Sequence, residues 1–127
     1  MDLAFSAQEQ AFREEVRQFI ASHYPPELRA KQQSGAELCR DDMLAWHRIL
    51  ANRGWAAPAW PVEYGGTGWS ATERYLYAGE SAAAEVLLPL PFGINMVGPV
   101  LYTFGTEEQK RRHLPGILAG EVWWCQG

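Results

Sequence analysis

Apolar residues recur at helical spacing through most of the chain, and capping signals divide the pattern into elements. Phe12, Val16, Phe19 and Ile20 share one face, with Arg13, Glu14, Arg17 and Gln18 on the other. Ser6 followed by Glu9 forms a capping box, with Phe5 placed as a staple residue, so the first helix is expected over about Ala7–Ser22, stopping before Pro25-Pro26. The polar stretch Glu27–Arg40 predicts a loop or frayed turn. Asp41 or Asp42 can cap the next helix, whose stripe is Leu44, His47 or Ile49, and Leu50, closed by Gly54. A lone histidine on such a helix is more often packed or exposed than catalytic.

Residues 54–69 carry two prolines and repeated glycines, which predicts an ordered irregular connector pinned by Trp55, Trp60, Tyr64 and Trp69. Its Gly65-Gly66-x-Gly68 follows no apolar strand and precedes no Gly-Lys-Ser/Thr, so it is not a phosphate-binding signature. Ser70 and Glu73 form a second capping box, opening a helix from Ala71 to about Val86. Tyr75, Ala78, Ala82 and Ala83 give that helix a small-residue face, while Glu73, Glu80 and Glu85 read as solvated acids. Thr106 with Gln109 opens a further helix, with Glu107 and Glu108 at its positive end and Lys110, Arg111 and Arg112 following. Leu114–Ala119 predicts a short final turn around Pro115, closed by Gly120.

Between these elements lies Val86–Phe104, a run without a single charge. Its length approaches the roughly 20 apolar residues that span a bilayer. Pro89, Pro91, Pro99 and Asn95 interrupt it, and no Lys or Arg cluster anchors its ends, so a membrane span is not expected. A helix apolar on all sides in a water-facing chain is normally buried. A buried central helix is therefore expected, opening near Phe92 or Gly93 and ending at Gly105. About five helices with short connectors predict an all-α domain, an up-and-down or orthogonal bundle, over residues 1–120. Glu121–Gln126 is β-prone and apolar, and residues 121–127 look like the first strand of a further domain.

Composition narrows the function classes. The chain has 127 residues, 47% hydrophobic and 20% charged, within the size and composition of one globular domain. A net charge of -4 argues against nucleic acid and anionic membranes as partners. Cys39 and Cys125 have no partner at metal-ligand spacing, so no metal site is expected, and two reduced thiols without a secretory signal suit a cytoplasmic protein. Six tryptophans require a sizeable core or an interface to cover them.

The motifs in series resemble the acyl-CoA dehydrogenase family. They are Ser6-Ala7-Gln8-Glu9, Gly54-Trp55-Ala56-Ala57-Pro58 with Trp60-Pro61, Glu63-Tyr64-Gly65-Gly66-x-Gly68, and Phe104-Gly105-Thr106-Glu107-Glu108-Gln109-Lys110. Leu114-Pro115-Gly116-Ile117-Leu118-x-Gly120-Glu121 and Trp124-Cys125-Gln126-Gly127 continue them in order. The resemblance implies the N-terminal helical domain of an FAD-dependent enzyme that oxidises the Cα–Cβ bond of an acyl-CoA, followed in the family by a β-domain and a C-terminal helical domain. The family's catalytic glutamate lies in that later domain, so no catalytic residue is assigned here and the chain alone is expected to be inactive. By resemblance, Gln126 and Trp124 are the flavin-side candidates, and Phe92, Asn95, Met96 and Val97 the acyl-pocket wall.

The implied partners are the acyl-CoA substrate, the β- and C-terminal domains or a complementing subunit, and further copies in an oligomer. The wording Gly93-Ile94-Asn95-Met96-Val97-Gly98-Pro99 looks closest to members acting on branched or steroid-linked acyl-CoAs, which suggests fatty acid or steroid side-chain catabolism. Two alternatives stay open. One is a non-catalytic helical interaction module; the other is the same domain from an acyl-CoA oxidase or flavin monooxygenase.

Overall fold

The computed structural model describes residues 4–127, so residues 1–3 of the expected helical domain lie outside the described residues. Six α-helices follow in order: α1 (Ala7–His23), α2 (Pro26–Ser34), α3 (Arg40–Arg53), α4 (Ala71–Ala83), α5 (Gly98–Phe104) and α6 (Glu107–Leu118). A 3₁₀ turn (Val62–Tyr64) lies in the connector, and a π-helical segment (Phe92–Val97) runs directly into α5. The all-α class stands. Among the described residues there is no strand: Glu121–Gly127 runs without a pairing partner, and a β-prone segment with no neighbour has no ladder to join.

The three expected capping boxes form at Ser6/Glu9, Ser70/Glu73 and Thr106/Gln109, each with reciprocal hydrogen bonds of 2.7–3.2 Å. Four local expectations need correction. The stretch expected as a loop contains α2, because Pro26 at its first turn needs no N–H partner and Gly35 closes it in the left-handed conformation (φ 69°). On α3 the start lies at Cys39, and Asp42 serves from the third helical position, its carboxylate accepting from the Cys39 N–H at 2.9 Å. Helix α4 stops at Ala83 rather than near Val86, because Glu85 takes φ 51°. Helix α6 continues through Pro115 instead of breaking there, since Leu114 and Ile117 on its buried face hold it against the core.

Glu80 is the other correction. It is not solvated but 7% exposed, and it faces α1, where Arg17 Nε donates to it at 2.6 Å and Arg13 Nε donates to its other oxygen. These bonds, chiefly that from Arg17, hold its pKa below the usual carboxylate value. The pair of arginines thus ties α4 to α1. On the far side of the domain, Lys31 reaches both Asp42 oxygens at 2.7 and 2.8 Å, joining α2 to α3 and pushing the Asp42 pKa down to about 2. Tyr24 completes the α1–α2 corner: it donates to Gln32 Oε1 at 2.7 Å and accepts from the Leu87 N–H at 3.2 Å.

Two apolar cores result. One gathers Val16, Ile20, Leu28, Trp46, Leu50 and Trp55 from α1, α2, α3 and the start of the connector. The second gathers Ala57, Trp60, Ile94, Leu114 and Ile117 from the connector, the π segment and α6. The connector joins them, with Trp55 and Ala56 in the first core and Ala57 and Trp60 in the second. Trp60 donates its indole N–H to the Ile94 carbonyl at 2.7 Å, a buried bond. Its ring lies against Gly98, where a Cβ would have no room, and meets Tyr102 edge-on.

That bond answers a shortage in the helix ladder. In the π segment the Gly98 N–H bonds back to Gly93, five residues earlier. Continued at the same offset, the Ile94 carbonyl would need an N–H from Pro99, which has none. The Trp60 indole takes its place. Replacing Trp60 by Phe keeps most of the ring but strands the carbonyl, so stability should fall by about 1–3 kcal/mol, seen as a lower denaturation midpoint at unchanged m value. A Trp60→Phe protein as stable as the parent would remove this bond from the account.

Candidate functional site

The uncharged run is half-buried rather than buried all round. Gly93, Ile94 and Gly98 face the second core, but Leu88, Met96, Val100 and Phe104 are exposed, Phe104 to 83%. Only the side toward Trp60 and α6 finds cover, so the remaining apolar residues form an outward stripe. Met96, Val100 and Phe104 stand four residues apart, which sets them along one helix face.

The site candidates divide across this segment. Phe92 is half-buried and Met96 is exposed, both on the open side. Val97 packs against the second core. Asn95 is exposed, so its amide reaches water and needs no buried partner; the polar group the core does satisfy is the Ile94 carbonyl next to it.

The C-terminal tail delivers the other candidates to the same place. Gly120 ends α6 with φ 75°, and the His47 ring lies where its side chain would be, so a glycine is required. The Glu121 and Val122 N–H groups donate to the Gly116 carbonyl at 2.9 and 3.2 Å. Arg40 stacks over Trp123 at 5.2 Å, and Trp124 meets His113 edge-on with its ring near Gly93. Gln126 then places its amide nitrogen 3.6 Å from Met96 Sδ. A flavin-side candidate and an acyl-wall candidate therefore touch, 30 residues apart in sequence.

Two donors in the tail are poorly served. A thioether sulfur is a weak acceptor for the Gln126 amide, and the Trp124 indole nitrogen is buried without a hydrogen-bond partner. Among the described residues no group of three or more His, Cys, Asp or Glu side chains is placed to hold a metal. Cys39 and Cys125 are free and exposed. No helix among the described residues is long and apolar enough to cross a membrane.

Sequence reasoning missed Val100 and Phe104. Their signal is the four-residue spacing from Met96, set within a charge-free run that by itself reads as covered on every side. It also missed the anchoring role of His47, which is buried and bonds through Nε2 to the Leu118 carbonyl at 2.8 Å, just before the tail departs.

The comparisons with known proteins establish the family. Residues 6–121 match the family model of the acyl-CoA dehydrogenase N-terminal domain, and the chain belongs to that family. It is 37% identical over 93% of its length to acyl-CoA dehydrogenase IpdE1 of Mycolicibacterium smegmatis and 35% identical over its whole length to acyl-CoA dehydrogenase FadE26 of Mycobacterium tuberculosis. The crystal structure of the ChsE4–ChsE5 complex from Mycobacterium tuberculosis superposes with a TM-score of 0.75 at 36% identity, over 97% of this chain and 31% of that one. The Tcur3481–Tcur3483 steroid acyl-CoA dehydrogenase superposes with a TM-score of 0.73 at 37% identity, over 96% of this chain and 31% of that one. The chain spans about a third of the length of these relatives, 31% of IpdE1 and 32% of FadE26.

Burial lowers the His47 pKa from its usual value of 6.5, with the Leu118 bond opposing in part. The unfolded chain then binds a proton that the folded chain resists. The His47 contribution to stability is fully present above about pH 6.5 and is lost as pH falls from there toward the depressed folded value. Thermal midpoints measured from pH 8 to pH 5 should fall on the acid side, with a smaller fall in His47→Gln. Equal pH profiles for the two proteins would refute the assignment.

Proposed function

We propose that this chain forms one wall of the acyl pocket and the edge of the flavin site in an FAD-dependent acyl-CoA dehydrogenase. The observation that carries the reading is the meeting of Gln126 with Met96, which brings the tail against the open side of the π segment. When bound, the flavin supplies the acceptor for the hydride that leaves Cβ of the acyl thioester. Flavin ring edges offer oxygen and nitrogen acceptors, and the donors here fit them. Gln126 can exchange a thioether for a stronger acceptor, and Trp124 has an indole N–H unspent.

Phe92 and Met96 offer apolar surface to an acyl chain, excluding water beside the reacting carbons; Asn95 stands at the edge of that surface. Val97 supports them from the core side. Removal of the α-proton needs a base of suitable pKa in reach of the thioester. Glu80, the buried acid, is held by two arginines below the ordinary carboxylate pKa and is a poor base. The proposal therefore places the base outside these residues, in agreement with the resemblance.

A branched or steroid-linked acyl group is the substrate class we favour. It is supported by the steroid acyl-CoA dehydrogenase among the structural neighbours. The stripe of Met96, Val100 and Phe104 suits the surface on which the rest of the enzyme, or a second subunit, seats. Both structural neighbours are two-component assemblies by name, which supports a heteromeric partner.

Complementation tests the reading. Mixed with β- and C-terminal domains from a steroid acyl-CoA dehydrogenase, the chain should retain FAD and oxidise a steroid-linked acyl-CoA, and by itself it should do neither. Phe104→Glu should weaken assembly, and Met96→Glu should raise KM for the acyl-CoA in whatever assembly forms. Tight stoichiometric FAD with turnover on the chain alone would overturn the proposal. So would assembly that binds no flavin, which favours the non-catalytic module instead.

A further inference from the structure

A groove of about 250 Å³ opens on the side of the domain where α4, the connector and the start of the π segment meet. Its walls are apolar: Pro58 and Ala59 from the connector, Tyr77 and Ala78 from α4, Leu88 from the following turn and Ile94 from the π segment. The Tyr77 hydroxyl is turned inward toward the Trp55 carbonyl at 3.5 Å, so this residue presents ring rather than hydroxyl to the groove. Of the proposed acyl-wall residues the groove includes only Asn95, which stands on the border between the two surfaces; Phe92, Met96 and Val97 lie outside it.

Two polar groups stand on this apolar surface, and neither is used by the fold. Arg74 is exposed and forms no ion pair or side-chain hydrogen bond among the described residues. By contrast Arg13, Arg17 and Arg53 are all committed to carboxylates. Asn95 is likewise exposed, with its side-chain amide free of protein partners among the described residues. No acid lines the groove, so the guanidinium is an unopposed cation beside an apolar trough.

We propose that this groove binds a small amphipathic carboxylate, with its apolar body along Tyr77, Leu88 and Ile94 and its head on Arg74 and Asn95. The chemistry selects that class. A guanidinium offers a two-pronged donor set that matches a carboxylate, and the Asn95 N–H₂ adds a third donor. The volume lies just under the roughly 300 Å³ at which clefts for drug-sized ligands begin, so it suits a medium-length chain or a single ring. Binding here does not depend on the flavin reading, because it uses neither Gln126 nor Met96.

Decanoate is the probe, with decan-1-ol as its uncharged match, titrated into the 127-residue chain while NMR follows the Arg74 Nε–H and the Asn95 side-chain amide. Decanoate should shift both signals saturably. Arg74→Gln should weaken decanoate by about tenfold, the scale of one hydrogen bond to a charged group, and leave decan-1-ol unchanged. Both substituted positions are exposed, so folding should survive, and unchanged circular dichroism confirms it. Ala78→Trp fills the trough from an exposed position of α4 and should abolish binding of both molecules. Decanoate held equally by the parent and Arg74→Gln would overturn the proposal, as would decan-1-ol bound as tightly as decanoate, or no saturable shift.

Discussion

A proline without an N–H and a tryptophan with one to spare define the second half of this domain. Pro99 leaves the Ile94 carbonyl without a ladder donor, and the Trp60 indole supplies one from a connector 34 residues earlier. The bond is buried, so neither partner has water as an alternative, and its loss would cost more than its formation contributes. Everything around it serves that approach. Gly98 has no side chain because the indole ring fills the space, and Gly66 has none because the backbone at Trp60 passes too close. A long irregular connector is thereby converted into a rigid bridge between two cores.

The first core is held differently. Around Val16, Trp46 and Leu50 the fixing contacts are charged and lie at the edge: Glu80 with its two arginines, and Asp42 with Lys31. Half-exposed pairs of this kind contribute modestly to stability, and their geometry is specific. Each joins a different pair of helices, so together they set the relation of α1 to α4 and of α2 to α3. Gln32, donating to the Glu85 carbonyl, and Tyr24, accepting from the Leu87 N–H, then hold the Glu85–Leu87 turn, where the chain leaves the first core for the second.

Much of the helical order was legible in the sequence because capping boxes are short-range and reciprocal. Ser6, Ser70 and Thr106 announced their helices within four residues of chain. What stayed hidden was set at long range. Helix α2 carries one fully buried residue, Leu28, too thin a stripe to read against a polar background. The depth of Glu80 depends on α1, 63 and 67 residues away, and the exposure of Phe104 depends on what does not pack over it. Among the site candidates, the grouping of Gln126 with Met96 could be expected only through family likeness. The tail carries no periodic signal, and its path is fixed by the turn at Gly120 and the His47 ring behind it.

The π segment also bears on how this protein can change. A π turn holds more residues than an α turn, so Phe92–Val97 carries in effect one surplus residue in the ladder. A wide turn with one extra residue brings the chain after it back to nearly the angle an α turn would give. Deleting one residue between Ile94 and Gly98 would therefore let an ordinary α-helix form with Gly98 still bonded to Gly93 and still facing the Trp60 ring. The Ile94 carbonyl would still meet Pro99 and still need the indole. What such a deletion removes is outward surface, because Asn95 and Met96 are the exposed residues of the wide turn. The surplus residue serves what lies outside the domain, and the packing behind it would stand without it.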